Sequence, residues 1–368
     1  MITQTNHRET FRFVPSTSTP VSPERVAELL KAEWELFTKQ TGKSAEESRR
    51  ALKSLPMGVT SSFQHWDPYP ISIVSAKGAW MTDVDGRQLL DLSMGFGAML
   101  AGHLNPVIVE EVKKALETGT LFVTPSPIST DAAERICRRF GIDQVRFTNS
   151  GTESTMYAVR TARAATDKNA IVKIEGGYHG SYDPFVVSSK PPIDKIGDAE
   201  DPIAYTPAGI VPGEIYVVPY NNADALERTF KKHGSSIACF ILEPVLENLG
   251  IVLPDEGYLE RVRELCDEYN VVLIFDEVKT GLTAGHQGAA QRLGVTPDLI
   301  TLAKSIGGGL TLAAFGGKKK YMDFVTNGKM AHFGTFNGNP LAMAGVRAAD
   351  VIFTEQSLAK AEGFNQQA

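Results

Sequence analysis

A chain of 368 residues can bury a large core, with two domains as the prior, and its 42% hydrophobic and 22% charged residues are ordinary for a soluble globular protein. A net charge of −6 offers no general attraction to nucleic acid or to an anionic membrane. No stretch approaches the ~18 consecutive apolar residues of a membrane helix, and polar residues rather than a signal-peptide core follow Met1. The three cysteines, Cys137, Cys239 and Cys266, lie far apart without CxxC or metal-ligand spacing, so they read as buried thiols. The expectation is a reduced, cytoplasmic protein that binds neither nucleic acid nor membrane.

Residues 1 to about 20 are polar and rich in Ser, Thr and Pro, the composition of a poorly ordered tail. A helix then opens with Ser22 as N-cap and Pro23 at the first helical position. Val26, Leu29, Leu30, Trp34 and Phe37 recur at helical spacing and give it one apolar face. Leu55 to Pro70 is loop-like and aromatic. Ile71 to Leu92 alternates around Lys77-Gly78 and Asp85-Gly86, which predicts a small antiparallel unit. A helix from about Pro106 to Leu116 follows the glycine-containing SMGFGAMLAGHLNP.

From Ser129 the texture is β/α alternation. DAAERICRRFG reads as a helix, QVRFTNS as a strand, STMYAVRTARAAT as a helix and AIVKIEGGYHG as a strand and loop. Residues 188–215 form an irregular excursion rich in Pro and Asp. EIYVVPYNN, SIACFILEPV, VVLIFDEV and LITLAKS are further strand candidates, with helical segments near 223–233 and 257–270. Such alternation predicts a mostly parallel sheet with helices on both faces.

Two of these apolar runs end in a single ionisable residue, Asp276 in the first and Lys304 in the second. Desolvating an unpaired charge costs several kcal/mol, so a buried strand does not carry one as packing material. Ligands of open α/β sheets bind at the carboxyl ends of strands. NSGTES, at Asn149 to Ser154, ends a strand and opens a helix, where free N–H groups and the helix dipole suit a phosphate; alone it reads more simply as an ordinary N-cap.

Other uses of this pattern fail. LIFDE resembles the carboxylate strand of P-loop NTPases, but the only Gly-Lys-Ser/Thr, at Gly42-Lys43-Ser44, has Phe37 where the first P-loop glycine belongs. Gly307-Gly308-Gly309 is not GxGxxG. The seven histidines are scattered, with His179 and His332 lacking a close histidine or cysteine, so no metal site is expected. A desolvated lysine has a depressed pKa and a nucleophilic amine. With an acidic partner and a phosphate cup it meets the needs of pyridoxal phosphate. The bland alternative is that Lys304 snorkels or pairs with Glu277 or Asp298.

In this company the chain resembles the class III aminotransferases of pyridoxal-phosphate fold type I, in the branch of glutamate-1-semialdehyde aminomutase and its relatives. The resemblance runs from about Leu55 to Ala349 and rests on six motifs in order: NSGTE, GGYHG, EPVLEN, LIFDEV, PDLITLAKSIGGG and GTFNGNPLAMAG. It implies an α/β fold with a large domain, its central sheet mostly parallel and flanked by helices, plus a small domain formed by the N-terminal segment. Residues 1–20 would be a disordered tail, 21–100 the N-terminal part of the small domain and 101–335 the large cofactor-binding domain. Residues 336–368 would be a connecting helix towards a C-terminal part that the family carries beyond Ala368.

The resemblance also implies roles. Lys304 would form the Schiff base and shuttle the proton, while Asp276 would hold the pyridine nitrogen protonated. Ser150, Gly151 and Thr152 would bind the phosphate, joined by Thr335 from the neighbouring subunit of a homodimer with a shared active site. Tyr178 would stack on the ring, Val278 would pack on its opposite face, and Glu243 and Asn248 would lie near the ring hydroxyl and the substrate. The partners implied are a small amine or amino acid and a keto acid or aldehyde. Two loops depart from the aminomutase pattern: Pro56 to Trp66 has no arginine, and the stretch after GGYHG is longer and acidic. The first reading of the activity is therefore an aminotransferase moving an amino group between a donor and a keto or aldehyde acceptor. The runner-up is a glutamate-1-semialdehyde-type 2,1-aminomutase, an isomerase with the same cofactor residues. A catalytically inactive dimer partner ranks last, because Lys304 and Asp276 are both present.

Overall fold

The computed structural model describes residues 22–197 and 202–365. The tail expected over residues 1–20 lies outside them. By internal contacts the chain divides into two units, the first reaching Ala76 and including Met81–Leu90, the second comprising Lys77–Trp80 and the chain from Asp91.

The first unit opens with α1 (Pro23–Gln40), capped by the Ser22 hydroxyl, which accepts from the Arg25 N–H at 3.2 Å. No residue of α1 is buried; Val26, Leu29, Leu30 and Trp34 of its apolar face stay about half exposed. Helix α2 (Gly42–Ala51) takes its cap from a distance. The Asp85 carboxylate accepts from the Lys43 and Ser44 N–H groups at 2.8 and 3.0 Å and from the Ser44 hydroxyl at 2.7 Å. First-turn N–H groups have no partner inside a helix, and this turn aspartate supplies one. Asp85 sits between β2 (Trp80–Asp83) and β3 (Gln88–Leu90), which with β1 (Ile73–Lys77) form a three-stranded sheet.

The second unit continues with α3 (Pro106–Thr118), α4 (Pro127–Phe140), β4 (Gln144–Thr148), α5 (Gly151–Thr166), β5 (Ala170–Ile174) and the short α6 (Asp183–Val186). Then come β6 (Ile215–Val218), α7 (Ala223–His233), β7 (Ile237–Leu242), α8 (Tyr258–Glu268) and β8 (Val272–Asp276). After the short α9 (Thr280–Thr283) and α10 (Gly288–Leu293) the chain forms β9 (Leu299–Ala303) and β10 (Ala313–Gly317). It ends in α11 (Lys319–Thr326), α12 (Pro340–Ile352) and α13 (Glu355–Asn365). None of the described helices is long and apolar enough to cross a membrane.

Seven strands form one sheet in the order β4-β10-β9-β8-β7-β5-β6. Neighbours from β9 to β6 are parallel, whereas β10 runs antiparallel to both β4 and β9. β4 therefore points the same way as β9, and the carboxyl ends of every strand except β10 share one edge. Every residue of β5, β7, β8 and β9 is buried, as expected of parallel strands covered on both faces. Alternate side chains feed two cores. Val172, Phe240, Leu273 and Phe275 join α4, α7, α8 and α12; Ile171, Ile241, Val272 and Ile274 join α5 and α11. Cys239 and Cys266 are buried; Cys137 is half-buried.

The sequence pattern did not announce β10. Ala-Ala-Phe-Gly-Gly has weak strand propensity, but a side chain at Gly316 would collide with the Gln144 carbonyl and one at Gly317 with that of Asp298. Glycine is what lets this strand slot between its neighbours.

Helix α12 is tied to α4 by an ionic knot. Asp350 accepts from Arg135, Arg138 and Arg139, and Arg139, 6% exposed, also donates to the Phe353 carbonyl at 2.6 Å. Removing one partner strands a buried guanidinium. Asp350→Ala is expected to cost about 3 kcal/mol, read as a lowered midpoint in urea unfolding, with Asp350→Asn recovering part of the loss.

Candidate active site

The shared carboxyl edge collects the chemistry. Helix α5 starts just after β4, the Gly176–Gly180 loop follows β5, Glu243 follows β7, Asp276 ends β8 and Lys304 follows β9. Together they line a cavity of about 380 Å³ whose wall includes Gly151, Thr152, Tyr178, His179, Glu243, Asn248, Asp276, Val278, Lys279 and Lys304.

Asp276 is 3% exposed and its two oxygens are differently engaged. Oδ2 accepts from His179 Nδ1 at 2.7 Å, while Oδ1 accepts from the Thr301 hydroxyl at 3.0 Å and the Val278 N–H at 3.1 Å. A carboxylate can only accept, so the His179 proton belongs on Nδ1. Nε2 of that fully buried ring has no partner among the described residues. The carboxylate is thus held in one orientation by three donors.

Lys304 does not sit on the strand, as the sequence suggested, but begins the helical turn just past it, with φ of 54°. A non-glycine residue in the left-handed region costs about 1 kcal/mol and points to a site where backbone geometry serves function. Burial pushes its amine below the ordinary lysine pKa; Asp276, Glu243 and Glu247 oppose this shift and the Lys279 ammonium adds to it. The pairing with Glu277 or Asp298 left open by the sequence does not occur. Glu277 instead accepts from the Ala289 and Ala290 N–H groups at 2.6 and 3.0 Å, its pKa raised to about 7 by burial. Asp298 pairs with Arg263 and Lys318.

The glycine run after Lys304 has a packing reason. A Cβ at Gly308 would meet Ile108 of α3 at 2.8 Å, and Gly345 of α12 lies against the Gly307 carbonyl, so two helices press on this turn.

The start of α5 is bare towards the cavity. The Ser150 hydroxyl accepts from the Glu153 N–H at 3.2 Å, and the Glu153 carboxylate accepts from the N–H of Asn149, one residue before the cap, at 2.9 Å, so Ser150 is occupied in capping the helix. Gly151 and Thr152, by contrast, face the cavity with first-turn N–H groups that no intrahelical carbonyl can reach. Gly180 fits against Thr152 where any side chain would collide, and the Thr155 hydroxyl donates to the His179 carbonyl at 2.7 Å. The GGYHG loop is therefore locked onto the helix start. Glu243 accepts from the Tyr178 N–H and from Asn248, both at 3.0 Å, and burial raises its pKa.

Of the ten residues expected at the site, eight line this one cavity. Ser150 caps behind it, and Thr335 lines a separate cavity with Arg146, His332 and Asn337. His179 and Thr301 escaped the sequence reading. The histidine had been weighed only as a metal ligand, and the threonine was a lone polar residue in an apolar strand that parallel pairing sets beside Asp276. No cluster among the described residues could hold a metal ion. An amine and a carboxylate opposed in a roomy cavity, with free N–H groups at a helix start, fit a phosphorylated aldehyde bearing a basic ring nitrogen.

Comparison with known proteins agrees. The profile of aminotransferase class III matches residues 62–367. Glutamate-1-semialdehyde 2,1-aminomutase of Methanocorpusculum labreanum is 42% identical over 322 residues, 87% of this chain and 77% of that protein. An omega-transaminase from Sphaerobacter thermophilus superposes with a TM-score of 0.85 at 35% identity, covering 88% of this chain and 76% of the other. A glutamate-1-semialdehyde aminomutase from Pseudomonas aeruginosa, also solved in complex with PMP, gives 0.83 at 27% identity, over 92% and 76%. The chain belongs to the class III aminotransferases, pyridoxal-phosphate enzymes of fold type I, in their glutamate-1-semialdehyde aminomutase-like branch.

Proposed function

We propose that this enzyme is a 2,1-aminomutase of the glutamate-1-semialdehyde type, moving an amino group between adjacent carbons of one small amino aldehyde. The observation that carries the amino-group chemistry is the placement of Asp276, held by three donors, and Lys304, with its depressed pKa, in one cavity. The isomerase reading draws on the 42% identity to the curated aminomutase. Intermolecular transfer to a keto or aldehyde acceptor is the second reading, favoured by the greater identity to the omega-transaminase structure, 35% against 27% for the aminomutase structure, and by the arginine-free loop from Pro56 to Trp66.

Bound pyridoxal phosphate supplies an aldehyde for the substrate amine and a ring that withdraws electrons from the carbon losing its proton. The Gly151 and Thr152 N–H groups would hold the phosphate, with Ser150 stiffening the turn from behind. Asp276 would meet the ring nitrogen, with His179 and Thr301 keeping its carboxylate from turning away. Tyr178 and Val278 would lie against the two sides of the ring. Lys304 would hold the aldehyde and, when its amine is free, would take and return the substrate proton, for which an amine below its ordinary pKa is suited at neutral pH. Glu243 and Asn248 would lie near the ring hydroxyl and the substrate. Thr335 lies away from this cavity, so its role requires a second copy of the chain to present it.

Three measurements test this reading. Protein loaded with pyridoxal phosphate is expected to show a visible absorbance band abolished by borohydride and absent from Lys304→Ala; wild type without the band would refute the site. Asp276→Asn should retain cofactor but lose turnover about 100- to 1,000-fold, as expected when a group placed to stabilise developing charge is neutralised. With a single amino aldehyde and no acceptor, the aminomutase yields the positional isomer. Accumulation of a deaminated product with the cofactor left in its amine form would establish transfer instead.

A further inference from the structure

Lys304 is not the only cation in the cavity. Lys279 lines the same wall, three residues beyond Asp276 at the cap position of α9, where its carbonyl accepts from the Thr283 hydroxyl at 2.8 Å. Its side chain is half-buried, and no carboxylate or carbonyl among the described residues pairs with its ammonium. The other lysines of this unit that are not exposed, Lys304 apart, are satisfied. The fully buried Lys173 donates to the Val187 carbonyl at 2.6 Å, Lys168 to that of Gly234 at 2.9 Å, and Lys318 pairs with Asp298 at 2.8 Å. Among the described residues Lys279 is left without a salt-bridge partner on a wall it shares with Lys304.

The cavity indicates which anion. Val278 packs against Gly151 at the start of α5, so this wall reaches towards the phosphate end. Lys279 lines the same cavity as Lys304, and its charge acts on the Lys304 amine, which places it towards the amine end. The substrate amino group must reach that end to displace Lys304. In an α- or β-amino acid the carboxylate carbon lies two or three bonds from the amine, and in a glutamate-semialdehyde-type amino aldehyde four, within the sweep of a lysine side chain.

We propose that Lys279 binds the carboxylate of an amino-acid substrate and so selects amino carboxylates over plain amines. This rests on the amino-group chemistry proposed above and adds the substrate class. Lysine suits the task as a flexible point charge with three donors.

The test compares holoenzyme carrying Lys279→Met or Lys279→Arg with wild type. Each amino acid that turns over is paired with the amine lacking its carboxylate, and glutarate serves as an unreactive carboxylate probe in calorimetry. The methionine variant is expected to lower the kcat/KM ratio of amino acid over amine about 10- to 100-fold and to weaken glutarate binding to a similar extent. The arginine variant recovers most of both. An unchanged ratio and unchanged glutarate affinity would overturn the proposal. So would loss of the cofactor from the methionine variant, which would make the cofactor the partner of Lys279. Glutarate binding does not need the Lys304 linkage, so calorimetry reads Lys279 even if the borohydride-sensitive band is absent and the catalytic reading fails.

Discussion

The Asp276 carboxylate is the constraint on which the site depends. A charge at the buried end of a strand survives only if donors replace the water it has lost. Here the donors come from three places: the Val278 backbone two residues on, Thr301 on the neighbouring strand, and His179 from the loop after β5, 97 positions away. That set exists only if β5, β7, β8 and β9 lie side by side and parallel. The order of the sheet and the orientation of one carboxylate are thus a single requirement, and a register slip of β9 would remove Thr301 from it.

Lys304 obeys the opposite logic. Its amine is useful because it is not stabilised as an ammonium: burial and Lys279 outweigh the attraction of Asp276, Glu243 and Glu247. The backbone that presents it is held in an unfavourable left-handed conformation by a glycine turn clamped beneath α3 and α12. Helix α12 in turn is fastened to α4 through Arg139 and Asp350. Packing remote from the cavity therefore supports the geometry of the lysine.

Much of this was readable in the chain. Strands β7 and β8 declared themselves as apolar runs and β9 as one interrupted only by Thr301, and the lone charges at Asp276 and Lys304 marked the ends of two of them. The helix start at NSGTES was legible as an N-cap, though its Ser150 serves the helix more than the cavity. What was not legible has definite causes. β10 is masked by alanines and glycines chosen for close backbone approach rather than strand propensity. His179 looked isolated because its partner is distant in sequence. Lys279 looked like any surface lysine, because a missing counter-ion is not a sequence property.

Local sequence determined which segments are buried strands, where helices begin, and which ionisable groups end up without water, since hydrophobic runs and capping residues act over a few positions. The six motifs in order were enough to place the chain in its family. Tertiary structure alone decided that β10 reverses direction, that Thr335 stands apart from the cavity, and that two lysines share one wall. Each of these depends on which strand ends are brought to the same edge of the sheet, and that is settled by packing across the whole unit.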